Sequence, residues 1–189
     1  MAERRAAPLR RAVFLDRDGT LVEDPGYLHD PAAVRLLPGV ARGLADLCAA
    51  GLALVLVSNQ SGLARGLFGP EAFAAVNRRL EELLGEGGPR FAGIYHCPHH
   101  PDFGGPCDCR KPAVRLFRLA AADLGLDVAR SWFVGNRAGD VEPAAALGGR
   151  GILIAASARA TDLDAARRLG VATVPDFAAA AALIVHNRA

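Results

Sequence analysis

Apolar positions along the chain fall into two alternating kinds of segment: short continuous runs, and longer stretches in which they recur at helical spacing. The first run, Ala12 to Leu15, meets Asp16-Arg17-Asp18-Gly19-Thr20, which predicts a buried strand ending at a sharp polar turn. Residues 21–38, rich in Asp, Pro and Gly, read as a long loop of the kind that forms lids or binding loops in compact domains. Val40, Leu44, Leu47 and Cys48 predict a helix from Gly39 to Gly51. Leu52 to Val57 is a second continuous run, suited to a central parallel strand buried on both faces, and it ends in Ser58-Asn59-Gln60-Ser61-Gly62. Further helices are predicted over Pro70–Leu84, over Pro112–Gly125 with Pro in the first turn, and over Gly139–Leu147. Further strands are predicted over Phe91–His96, over Trp132–Val134 running into Gly135-Asn136-Arg137, and over Gly151–Ile154. The tail adds a helix, a short strand and a helix. This alternation, without repeat, low-complexity tract or linker, predicts an α/β protein with a doubly wound (Rossmann-like) parallel sheet. We expect a single domain over residues 1–189, with residues 1–10 flexible and no separate cap domain.

Composition narrows the function classes. The chain has 189 residues, 51% hydrophobic and 22% charged, enough for one domain with a sizeable core. A net charge of +2 is too balanced for a nucleic-acid surface. No stretch approaches the roughly 18 apolar residues of a membrane span. The apolar run after the basic N-terminus is broken by Asp16, too early for a signal sequence. A cytoplasmic monomer acting on a small molecule is expected, without nucleic-acid or membrane partners. Three of the four cysteines lie between residues 97 and 109, which in such a chain points to metal rather than disulfides. The 22 basic residues are 21 Arg and one Lys, Lys111. A compact ammonium and a planar guanidinium are not interchangeable around a phosphoryl group, so the position of this lysine beside the cysteines marks it as functional.

Asp16 and Asp18 stand two apart at the carboxyl end of the first strand, where open α/β sheets bind ligands. Two close carboxylates repel unless a cation or a shared proton offsets the charge, and Mg²⁺ would also neutralise a bound phosphate. Asp and Gly are common in turns that do no chemistry, but Asp-x-Asp-Gly-Thr directly after an apolar strand favours a site. Cys97-Pro98-His99 and Cys107-Asp108-Cys109 form two ligand pairs separated by seven residues. Three thiolates and an imidazole suit tetrahedral Zn²⁺ in a closed structural site, which would fold the Gly/Pro-rich loop and aim Arg110 and Lys111 into the active site. His100 is the neighbouring alternative ligand; His99 is preferred because Cys-x-His mirrors Cys-x-Cys.

The Asp16–Thr20 pattern resembles the nucleophile motif of the haloacid dehalogenase (HAD) superfamily of phosphatases. The other motifs of that superfamily follow in order at Ser58, at Lys111 and over Gly135 to Asp140. The resemblance implies a HAD-type fold, Asp16 as nucleophile forming an aspartyl phosphate, and Asp18 as general acid and then base. It also implies that Ser58 donates to the transferring phosphoryl group, that Lys111 offsets its charge, and that Asp16, Asp18, Asn136 and Asp140 hold Mg²⁺. Within the superfamily the chain is similar to the zinc-bearing, capless branch of heptose bisphosphate and histidinol-phosphate phosphatases. It looks more like the former at Gly26-Tyr27-Leu28-His29, at Asn59 to Gly66 and at Cys97 to Pro101. By that likeness Asp24, Gly26, Tyr27, Ser58, Asn59, Gln60 and Ser61 contact substrate, Arg110 recognises its distal part, and Arg137 keeps a positive charge that the branch often places there. Arg65 and Arg110 are the candidates for a second phosphate, which guanidinium binds bidentately. The implied reaction is loss of the 7-phosphate from D-glycero-D-manno-heptose 1,7-bisphosphate; histidinol phosphate hydrolysis and non-catalytic phosphosugar binding are the alternatives. The chain departs from the branch in two places. Its loop between the ligand pairs is shorter than in many heptose enzymes. Asn136 stands where a metal-holding Asp is usual, so weaker Mg²⁺ binding is expected, with Asp140 taking part of the role.

Overall fold

In the computed structural model, which describes residues 9–187, the apolar runs form one parallel sheet. Its strands are β1 (Ala12–Leu15), β2 (Ala53–Asn59), β3 (Phe91–Cys97), β4 (Trp132–Gly135), β5 (Arg150–Ile154) and β6 (Ala172–Val174), in the order β3-β2-β1-β4-β5-β6. The helices are α1 (Val40–Ala49), α2 (Ser61–Ala64), α3 (Pro70–Leu83), α4 (Arg115–Leu124), α5 (Ala138–Leu147), α6 (Ala160–Leu169) and α7 (Phe177–His186). No separate cap domain is evident among the described residues, and no helix among them is long and apolar enough to cross a membrane.

The period of two along each strand sorts the core into two layers. Val13, Leu15, Leu54, Leu56, Val134 and Ile152 join one cluster with Leu44 and Leu47 of α1, Val76 and Leu80 of α3 and Phe177 of α7. Phe14, Val55, Val57 and Phe133 join the other with Leu116 and Phe117 of α4 and Ala144 of α5. Phe14 anchors this second layer: its ring lies 4.9 Å from Phe133, nearly stacked, and 5.4 Å from Phe117, edge-on. Because β1 is covered on both faces, all four of its residues are essentially inaccessible to solvent.

The predicted elements are all present, with three differences that bear on the site. Strands β2 and β3 run further than the apolar pattern, pairing Ser58 with His96 and Asn59 with Cys97, because the ladder hydrogen bonds continue past the last apolar residue. Helix α4 begins at Arg115, not at Pro112: the Lys111 carbonyl accepts from Asn59 Nδ2 (3.1 Å), so it does not open a helical turn. A short helix, α2, and a 3-10 turn over Pro31–Ala33 punctuate segments that read as loops. The Asp30 side chain caps that turn by accepting from Ala32 N (2.8 Å). The expected flexibility of residues 1–8 lies outside the described residues. Arg10 is tied by its backbone to Gly125 (3.0 Å) and Asp127 (2.8 Å).

Candidate active site

The chain lays down β1, β2 and β3 in one direction across the sheet, then returns to build β4, β5 and β6 on the other side of β1. Such a reversal opens a crevice at the carboxyl ends of the two strands that flank it. Here it holds a polar cavity of about 590 Å³. Asp16, Asp18, Asp24, Gly26, Tyr27, Ser58, Asn59, Gln60, Ser61, Arg110, Lys111, Asn136, Arg137 and Asp140 all line it. These are the residues expected there from sequence, with one exception, Arg65, which is not part of its wall.

Lys111 forms the floor. Its buried Nζ donates to Asp16 Oδ1 (2.7 Å) and to the Val57 carbonyl (2.6 Å), and lies 2.7 Å from Asp140 Oδ1. An ammonium sends its three donors out tetrahedrally from one compact point, whereas a guanidinium is a larger fork whose donors lie in one plane, and this suits a lysine to so small a space between three oxygens. Burial pushes the Asp16 carboxyl up to about 7, with Asp140 adding to the effect and Lys111 opposing it. Burial alone would lower Lys111, but Asp140 and Asp16 outweigh it and hold the ammonium above its ordinary value. Asn59 fixes the backbone beneath: its Oδ1 accepts from Lys111 N (3.0 Å) while its Nδ2 donates to Lys111 O. The Asn59 side chain, expected on substrate, is thus occupied in holding Lys111.

Asp18 is held from below by a residue that the sequence reading passed over. Arg17 is fully buried and grips Asp18 bidentately, Nε to Oδ1 at 2.9 Å and Nη2 to Oδ2 at 3.0 Å. Its remaining donors reach Asn77 Oδ1 (3.1 Å) and Gln60 Oε1 (3.1 Å), as a buried charge requires. Gln60 Nε2 donates to Asp18 Oδ2 and to Ser58 Oγ, both at 2.8 Å, so this side chain, like Asn59, serves the protein instead of reaching out to a ligand. A carboxylate has about four lone-pair sites, and three hydrogen bonds leave Asp18 one for the cavity. The available signal for Arg17 was its place between two aspartates at the end of a buried strand.

The third wall comes from β4 and the start of α5. Asn136 is buried; its Nδ2 donates to the Ser157 carbonyl (3.1 Å), while its Oδ1 has no hydrogen-bond partner. A buried oxygen without a donor is costly. Beside Asp16 and Asp18 it completes an oxygen-only donor set of the kind a hard divalent cation takes. Gly19, at φ 75°, passes so close that a Cβ there would collide with Asn136 Nδ2, and a Cβ on Gly135 would collide with Asp140. Asp140 has Oδ1 against Lys111 and Oδ2 accepting from Arg137 N (2.9 Å), so it holds Lys111 in place and keeps lone pairs for the cavity that it lines. Arg137 donates to the Ser157 carbonyl (2.8 Å) and lies near Asp24 (3.8 Å) and Asp162 (3.7 Å). Arg159 and Asp162, from the start of α6, also line the cavity and were not expected, since their segment carries no motif. The Arg159 guanidinium has no polar partner among the described residues.

The sulfur cluster lies beside β3. The ligand atoms of Cys97, His99, Cys107 and Cys109 all fall within 4.8 Å of one another. Cys97 Sγ is 3.6 Å from Cys107 Sγ and 3.0 Å from Cys109 Sγ, and His99 Nδ1 is 3.2 Å from Cys109 Sγ. Tetrahedral metal–sulfur bonds of about 2.3 Å set ligands about 3.7 Å apart, close to this arrangement. His99, not His100, faces the thiols; His100 Nε2 lies 3.1 Å from Arg65 Nη2 instead. Arg110 follows the cluster directly and donates to the His99 carbonyl (3.2 Å), which sets it on the cavity wall.

A family model described as HAD-hydrolase-like matches residues 108–180. With the parallel sheet and the Asp16–Lys111–Asp140 floor, it places the chain among the HAD-type hydrolases. Relatives that carry the name D-glycero-beta-D-manno-heptose-1,7-bisphosphate 7-phosphatase include two, from Yersinia pestis and Vibrio cholerae. The one from Yersinia pestis is 41% identical over 71% of this chain and 74% of its own length. The one from Vibrio cholerae is 43% identical over 72% of this chain and 76% of its own. The chain belongs to this family of phosphatases. Among solved structures, D,D-heptose 1,7-bisphosphate phosphatase from B. bronchiseptica, complexed with magnesium and phosphate, superposes with a TM-score of 0.81 at 30% identity, covering 94% of this chain and 99% of that one. A HAD-like phosphatase from Mesorhizobium loti gives 0.74 at 39% identity, covering 82% and 77%.

Proposed function

We propose that this protein is a Mg²⁺-dependent phosphatase that removes the 7-phosphate of D-glycero-beta-D-manno-heptose 1,7-bisphosphate through an aspartyl phosphate on Asp16. The observation that carries the reading is the buried Lys111 ammonium shared by Asp16 and Asp140, with the unpartnered Asn136 Oδ1 on the same cavity. The names of the relatives supply the sugar and its anomer.

Lys111 engages Asp16 through Oδ1, which leaves Oδ2 to attack phosphorus. As the P–O bond to C7 breaks, Asp18 gives its proton to the leaving alkoxide. Water then attacks the aspartyl phosphate, Asp18 takes the proton, and inorganic phosphate departs with Asp16 regenerated. Ser58 donates its hydroxyl proton to a phosphoryl oxygen, and Lys111 offsets the charge that builds on the transferring group. Asp16, Asp18 and the Asn136 amide oxygen would hold magnesium, which would supply positive charge against the same oxygens. Cys97, His99, Cys107 and Cys109 would hold Zn²⁺, which would fix the loop that carries Arg110 and Lys111. The phosphate that does not react needs cations not already neutralised, and Arg110 and Arg159 are the two on the cavity wall that meet this condition. Arg137 keeps the Asp24 loop near α6. The clustered thiols need a reducing compartment, in keeping with a cytoplasmic enzyme, and the cavity is completed within one chain, in keeping with a monomer.

The test is phosphate release from both anomers of heptose 1,7-bisphosphate and from histidinol phosphate, over a range of Mg²⁺ concentrations, with Asp16→Asn as control. Turnover of the beta heptose anomer that vanishes in the control is expected. Preferential release from histidinol phosphate would overturn the substrate, and none from any of the three would overturn the enzyme reading.

A further inference from the structure

Arg65 directly follows α2 and lies outside the cavity wall. Its guanidinium carbon sits 4.4 Å from the centre of the Phe103 ring and 5.8 Å from that of Tyr27, both within cation–π range. Nη2 meets His100 Nε2 at 3.1 Å, whereas Nε is buried without a hydrogen-bond partner. The group is therefore held mainly by ring faces. These contacts come from three separate segments of the chain. Tyr27 belongs to the loop of residues 21–38, and of Tyr27, Arg65 and Phe103 it alone lines the cavity. His100 and Phe103 belong to the loop between the two ligand pairs, where Phe103 N donates to His100 O (3.0 Å). Arg65 belongs to the β2–α3 connection, which is fastened next to that loop, at the first ligand pair, by Ala64 N donating to Pro98 O (3.1 Å). Tyr27 and Phe103 are each roughly half exposed, and Tyr27 holds a left-handed backbone (φ 53°) that is unfavourable for a residue with a side chain.

We propose that Arg65 is a positioning residue: it ties the metal-binding loop to the substrate-facing loop, so that order in one sets the place of Tyr27 in the other. The inference rests on the functional reading above for what Tyr27 faces. It replaces the sequence expectation that Arg65 itself holds a phosphate. The guanidinium faces both rings while its Nη2 also reaches His100 Nε2; a lysine offers one compact, strongly hydrated ammonium for all of these contacts. The two loops share the Arg65 contacts, so loosening Tyr27 also loosens the metal-binding loop and opens it to a chelator.

The experiment compares wild type with Arg65→Met, Arg65→Lys, Phe103→Leu and Tyr27→Leu. It reads kcat and KM on heptose 1,7-bisphosphate at saturating Mg²⁺, and the rate at which a chelator captures zinc from zinc-loaded protein. Arg65→Met and Phe103→Leu should each raise KM about tenfold while kcat moves far less, and Arg65→Lys should not rescue. Zinc capture should quicken in Arg65→Met and also in Tyr27→Leu, whose side chain lies on the other loop. Rescue by Arg65→Lys with a silent Phe103→Leu would mean that Arg65 touches phosphate directly, and would overturn the proposal. Zinc capture from Tyr27→Leu at the wild-type rate would overturn it too. If wild type leaves the bisphosphate intact, the functional reading fails instead, and zinc capture alone still decides whether the loops are tied.

Discussion

At the scale of the residue, Asn136 is the position at which the proposed cation site is best tested. Its amide is oriented by donation to the Ser157 carbonyl, which leaves Oδ1 without a partner. Asn136→Asp places a carboxylate oxygen against that carbonyl, so two opposite effects are expected. Half-saturation by Mg²⁺ should fall by about tenfold, because an anionic ligand replaces a neutral one. Without the cation, stability should fall by about 1–3 kcal/mol, since an acceptor then faces an acceptor. Melting curves with and without Mg²⁺ check both. Asp16 gives a second expectation. With its carboxyl raised to about 7, by burial first and Asp140 next and against the pull of Lys111, a proton competes with a cation at neutral pH. The proton-bound form dominates below that value, so apparent Mg²⁺ affinity should fall about tenfold per pH unit there and level off above it. Mg²⁺ titrations from pH 6 to 8 measure this directly. Asp16, Asp18, Lys111 and the cysteine ligands were legible because their residue types stand at strand ends or in paired spacing. Arg17 was not, because a charged residue that faces away from the crevice, under Asp18, looks in sequence like a turn residue.

At the scale of the element, β1 is held in place by aromatic packing. Phe117 of α4 meets Phe14 edge-on at 5.4 Å and Phe133 at 5.0 Å, and all three rings are essentially buried. Truncating such a ring in a closed core costs about 3–5 kcal/mol against a total stability of roughly 5–15 kcal/mol. Phe117→Ala is therefore expected to lower the urea midpoint sharply, as followed by circular dichroism. Because Phe14 lies two residues before Asp16, kcat should also drop in molecules that remain folded. The strands were legible as apolar runs, since burial on both faces demands them. Two things were not: that β2 and β3 continue through Ser58, Asn59 and Cys97, and that α4 waits until Arg115. Both follow from partners remote in sequence, the neighbouring strand in one case and the Asn59 grip on Lys111 in the other.

At the scale of the whole molecule, the sulfur cluster and the phosphoryl site are two parts of one arrangement. Cys97 pairs with Asn59 across β2 and β3, Asn59 holds Lys111, and Lys111 reaches Asp16. Stripping metal from Cys97, His99, Cys107 and Cys109 should free the loop that carries Arg110 and lower the rate. Adding Mg²⁺ alone should not restore it, whereas Zn²⁺ followed by Mg²⁺ should; phosphate release before and after chelation checks this. The sequence by itself determined the strand–helix alternation, the carboxylate pair, the two Cys/His pairs and the one lysine. Each is a local requirement, written as an apolar run, a short spacing or a choice between ammonium and guanidinium. Only the tertiary structure decided what the polar side chains between those landmarks do. Arg17 and Gln60 brace Asp18, Asn59 braces Lys111, Asp140 anchors the ammonium, Arg65 lies between two rings, and Arg159 enters the cavity. A polar side chain can face solvent, substrate or another side chain, and which of these it meets depends on contacts between segments distant in the chain.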